Sequence, residues 1–173
     1  MAAASIFSCT KSETKPPVVQ QPPVESRTIA TDWMTMSFTS VTGDDGTNFL
    51  QANQRLQAVS GSDLNNHHEF VYAKTQSGDV ISYQLLPFNI TSDNENFAIT
   101  HNLTGDLLSI TIQNQNAPDQ SITSDRFDHM QFQVILVSQE DYESLQVDWT
   151  DYHAVIHALR LLPLAKIKLE SDR

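Results

Sequence analysis

Apolar side chains recur at every second position in several short runs of this chain. That period constrains the fold more than any other feature. Between His129 and Val137, Met130, Phe132, Val134 and Leu136 fall on one side, with Gln131 and Gln133 on the other. Between Asp106 and Asn114, Leu108, Ile110 and Ile112 alternate with Ser109, Thr111 and Gln113. Successive side chains of a strand point to opposite faces, so this period suits a half-buried sheet and not a helix. Trp33–Phe38 alternates in the same way, with Met34, Met36 and Phe38 on one side. Phe70, Val71, Tyr72 and Ala73 are apolar on both faces, as in a central strand.

Turn residues punctuate these runs. Thr42–Gly46, Gln76–Gly78 and Leu103–Gly105 each combine glycine with polar or turn-forming neighbours. Glu69–Thr75 and Asp79–Leu86 then read as one hairpin, and Asn96–Asn102 with Asp106–Asn114 as a second. Arg55–Val59 is ambiguous between a strand and a helical turn. Six or seven short strands at intervals of about ten residues predict an all-β, mainly antiparallel domain, a sandwich or barrel, with the sandwich preferred. One segment breaks the pattern. Tyr152, Val155, Ile156 and Leu159 fall at helical spacing after Thr150 and Asp151, which predicts a short C-terminal α-helix near 150–160. Thr150 is the expected cap, Pro163 limits the far end, and the helix is expected across an end or edge of the sheets.

Composition fits strands with polar outer faces. Ser, Thr, Asn and Gln supply 56 of 173 residues, while only 18% are charged. Residues 30–163 hold seventeen acidic and four basic side chains, a net charge near −13. So acidic a body repels nucleic acid and anionic lipid headgroups, and the lysines and arginines are too scattered to form a basic face. A single cysteine excludes an internal disulfide framework. The domain plan is residues 1–9 as a signal remnant, 10–31 as a tether, 32–163 as the sandwich and 164–173 as a tail. The tether has four prolines and neither glycine nor aromatics between Thr10 and Arg27, which favours extended, semi-rigid chain.

Ile6-Phe7-Ser8 precedes the lone Cys9. This arrangement resembles the lipobox of bacterial lipoproteins, in which an aliphatic residue, a variable residue and a small residue precede an acylated cysteine. The resemblance implies export, cleavage before Cys9, and a lipid there that anchors the domain to a membrane. The body, with Asp32-Trp33, Phe70-Val71-Tyr72, Tyr83–Pro87, Phe132–Val137 and Asp151–Val155, is similar to small secreted β-sandwich domains of Bacteroidota. It implies no catalytic residues. The expected address is the bacterial cell envelope, periplasmic or on the outer membrane, with plain secretion as the alternative.

Several groups invite chemistry and have plainer readings. His153 and His157 stand i, i+4 apart, a spacing that can hold a metal, but the helical wheel puts them on the polar side. His67 and His68 are neighbours, so on a strand they diverge. Asp44-Asp45 and Asp93-Asn94-Glu95 could offer oxygens to calcium, yet Asp and Asn also build ordinary turns. Asn89 and Asn102 begin glycosylation sequons, as chance allows in an Asn- and Thr-rich chain. No nucleophile motif is present, and no two of the seventeen acids stand out as a hydrolase pair. The expectation is a protein of structural or binding role, not an enzyme, with no cofactor and no metal site. The alternative is a carbohydrate- or metal-binding accessory module in which Trp33, Trp149 or Tyr152 stacks on a ligand, the plainer role of these rings being core packing, and a third class is a hydrolase with a carboxylate pair. The ligand, glycan or protein, is left open.

Overall fold

A computed structural model describes residues 28–57 and 59–161. Cys9, Pro163, the tail and nearly all of the expected tether lie outside the described residues. The chain runs through β1 (Ile29–Ala30), β2 (Met34–Thr35), β3 (Thr39–Thr42), β4 (Asn48–Arg55), α1 (Gly61–Leu64), β5 (His67–Ser77), β6 (Val80–Leu85), β7 (Phe88–Ser92), β8 (Glu95–Thr104), β9 (Leu107–Asn114), β10 (Gln131–Ser138), α2 (Gln139–Ser144) and α3 (Tyr152–Ala158). All strand pairs are antiparallel, in two five-stranded sheets packed face to face as a sandwich. The first sheet has the order β1-β10-β5-β6, with β2 also on β10; the second is β3-β4-β9-β8-β7.

The alternation places the core. Leu108, Ile110 and Ile112 of β9, with Phe97 and Ile99 of β8, meet Val71 and Ala73 of β5 and Met130, Phe132, Val134 and Leu136 at β10 in one cluster. The strand β10 is buried on both faces. Its Ile135 and Val137 join Tyr72, Val155 and Ile156 in a second cluster on the opposite side of the first sheet. The helix α3 therefore covers an outer face of the first sheet, not an end or edge. A sheet with apolar residues on both faces needs cover on both, and the aliphatic stripe of α3 supplies it.

Four local expectations change. Only Met34 and Thr35 of Trp33–Phe38 pair as strand, although Met36 and Phe38 still enter the core. Asp151 caps α3, its carboxylate accepting from the Ala154 N–H at 3.1 Å, while the Thr150 hydroxyl is turned to Asp148 at 2.7 Å. Arg55 ends a strand, β4, that the sequence pattern leaves unread. Packing also begins inside the expected tether, because Ile29 and Ala30 pair with Leu136 and Ile135.

Candidate binding faces

The sandwich exposes two outer faces, and their chemistry differs. On the first sheet, His68, Phe70, Tyr72 and Lys74 of β5 alternate outward and meet an aromatic roof. Trp149 stacks on Phe70 with ring centroids 4.6 Å apart, and Tyr142 stacks on His68 at 3.7 Å. Tyr83 of β6 stacks on Tyr152 at 4.4 Å, and Trp33 leans on both. The Tyr72 hydroxyl donates to the Trp149 carbonyl at 2.7 Å, and the Tyr152 hydroxyl to Gln133 at 2.8 Å. Trp33 tilts against Tyr152 at 58°, while Trp149 stacks on Phe70 and Tyr142, so the three rings form no shared coplanar platform. Each is half-buried in the second cluster.

The outer face of the second sheet is the reverse. The three helices pack on strands of the first sheet. Outward positions of the second sheet include Phe49, Gln51 and Asn53 on β4, Ser109, Thr111 and Gln113 on β9, and Ala98, Thr100 and Asn102 on β8, with Phe49 and Ala98 flanking Gln113. Gln51 lies directly opposite Thr111, and Thr111 opposite Thr100, so one row of amide and hydroxyl groups crosses three strands. Neighbouring strands stand ~4.8 Å apart, which makes the row about 10 Å long. Ser109 bonds Asn53 at 2.6 Å and Asn102 bonds Thr104 at 3.1 Å. Among the described residues, the side chains of Gln51, Thr100, Thr111 and Gln113 form no hydrogen bond. Arg55 marks the end of this face and is held bidentate by Asp106 at 2.8 and 2.9 Å.

The titratable candidates separate. His153 and His157 are exposed on α3, with His153 edge-on to Tyr83. His67 contacts the Asp63 carbonyl at 2.6 Å, while His68 reaches Gln139 at 2.8 Å, so the neighbours do diverge. Asp45 accepts from the Thr47 N–H at 3.0 Å inside its turn, which holds its carboxyl below the usual range. The Ser60 hydroxyl and N–H do the same for Asp63, and the Thr150 hydroxyl and N–H for Asp148. Asp93 and Asn94 both have positive φ, 51° and 64°, and make the two-residue loop between β7 and β8. Asp93 and Glu95 grip Arg126 at 2.8 and 2.6 Å; Glu95, then Asp93, push that guanidinium's pKa up. No cluster of three or more His, Cys, Asp or Glu that could hold a metal occurs among the described residues.

Sequence reasoning missed one acid–base couple. Glu69 on β5 and His101 on β8 face each other across the sandwich, with Nε2 and Oε1 2.9 Å apart. The Nδ1 of His101 is buried with no partner among the described residues. A signal existed, since His101 takes the inward register of Phe97, Ile99 and Leu103. A shallow depression of about 420 Å³ lies between Phe38, Leu50 and Thr123–Asp125. Its apolar floor belongs to the core. Comparison with family models, curated proteins and solved structures finds no match for this chain.

Proposed function

We propose that this chain is a non-catalytic binding domain of the bacterial cell envelope, anchored by lipid on Cys9, whose second sheet takes a neutral, hydroxyl-rich polymer such as a polysaccharide. One observation carries the binding reading. The row Gln51–Thr111–Thr100, with Gln113 beside it, offers uncommitted amide and hydroxyl groups on an uncharged face of a strongly acidic body. Amides and hydroxyls both donate and accept, as sugar hydroxyls do. A polyanion would be repelled by the surrounding carboxylates, and a polycation would find its partners elsewhere on the surface.

The test is a glycan array followed by calorimetry with the best neutral polysaccharide. The double variant Gln51→Ala, Gln113→Ala should weaken binding about tenfold, the scale of one to two net hydrogen bonds. Binding to no neutral glycan, or binding untouched by the double variant, removes the reading. The anchor has its own test. Membrane fractions from cells expressing the protein with a complete export signal should yield a diacylglycerol-modified Cys9 by mass spectrometry, and an unmodified Cys9 rejects it.

A further inference from the structure

The strand β6 is the longest sheet edge, six residues against five in β7, four in β3 and two each in β1 and β2. Two of its side chains, Val80 and Ile81, are 65% and 46% exposed. Natural edges are usually blunted by charge, proline or a bulge. Val80–Leu86 contains neither a charged residue nor a proline, in a body with seventeen acids.

The backbone of this edge is aligned for pairing. The Leu86 N–H donates to the Val71 carbonyl at 2.8 Å, and Leu85 lies opposite Tyr72. In an antiparallel ladder the bonded residues alternate. Gln84, Ser82 and Val80 therefore bond toward β5, whereas Leu85, Tyr83 and Ile81 turn their N–H and C=O groups to the open side. The sequence Val-Ile-Ser-Tyr-Gln-Leu-Leu is also symmetric in chemical type about Tyr83. Ser82 and Gln84 are polar, Ile81 and Leu85 apolar, Val80 and Leu86 apolar.

We infer that β6 pairs antiparallel with β6 of a second copy, on a two-fold axis through Tyr83. In that register Tyr83 bonds its own symmetry mate, Ile81 lies opposite Leu85 of the other copy, and Ser82 opposite Gln84. All three outward residues of each edge gain backbone partners, and every facing pair matches in polarity. The contact is self-complementary, as a two-fold dimer requires. Charge permits it as well. Asp79, the nearest acid in sequence, lies four residues from the axis. The two copies of Asp79 are then ~26 Å apart at about 3.3 Å per residue, beyond the Debye length of about 8 Å in physiological salt. This inference stands apart from the glycan reading, which uses the other sheet.

Sedimentation of the full, unlipidated chain tests it, with Cys9→Ser to remove disulfide-linked species. The expected mass is twice that of the chain at micromolar concentration. Ile81→Lys should restore the single-chain mass with an unchanged circular dichroism spectrum, since the position is exposed and lysine stems tolerate it. Tyr83→Cys in the same background should form a disulfide-linked dimer under mild oxidation, because directly opposed residues there sit about 5.5 Å apart. A single-chain mass for the parent, a dimer indifferent to Ile81→Lys, or no cross-link through Tyr83→Cys each overturns the proposal.

Discussion

Tyr72 ties the aromatic roof to the first sheet through one hydroxyl. Its ring is fully buried, and its bond to the Trp149 carbonyl joins β5 to the approach to α3. Tyr72→Phe leaves the Trp149 carbonyl without that donor and should cost about 1–2 kcal/mol in urea denaturation. Burial pushes the Tyr72 phenol well above the tyrosine range, and that of Tyr152 upward too. A raised phenol leaves stability intact below the unfolded value of about 10 and erodes it as pH climbs toward the folded value. The melting temperature should therefore fall above about pH 10, less steeply in Tyr72→Phe. The acid side has the opposite sign. Asp45, Asp63 and Asp148 are lowered by local hydrogen bonds, so their contribution is present above about pH 4 and is lost as pH falls through the folded values. Melting curves followed by circular dichroism across both ranges check the two signs. At this scale residue type left both the turn and the calcium reading open for Asp45 and Asp93, and their partners, the Thr47 N–H and Arg126, came with the structure. The sequence could not pair Glu69 with His101, because 32 positions separate them and only the packing of two sheets brings them together.

Each element shows a local rule and its limit. The helix α3 begins at Asp151, whose carboxylate reaches the Ala154 N–H. Asp151→Ala should destabilise the protein by about 1 kcal/mol, measured by denaturant titration. The hairpin of β8 and β9 turns through Gly105 at φ 62°, with open space where a side chain would stand. Gly105→Ala should then cost about 1–2 kcal/mol from backbone conformation alone, with no steric part. Strands with several large apolar residues on one face, β9 and β10, were legible as strands. The strand β4 was not, because its inward face holds only Leu50 and the small Ala52 before the polar end. The short β7 was also missed, its inward Phe88 and Ile90 being too few to set a period. The expected position of α3 erred for a related reason. An amphipathic stripe says that a helix is covered, and not by which surface.

Across the whole molecule, charge and shape act together. The described body carries seventeen acids and four bases, so self-repulsion opposes compaction. Raising salt from roughly 10 mM to 150 mM shortens the Debye length from about 30 Å to 8 Å and should raise the melting temperature by a few degrees. A melt in two buffers of matched pH checks it, and a fall would point to ion pairs such as those of Arg126 outweighing repulsion. The sequence by itself determined the class of fold, the inward residues of the strong strands, the two glycine hairpins and the short C-terminal helix. Those follow from spacing and residue type within about ten positions, where the chain's own geometry limits the choices. The order of strands, the aromatic roof on one sheet, the free polar row on the other and the open edge of β6 came only with the tertiary structure. Each depends on which distant strands lie side by side, and register between such strands is set by the packing of the completed core.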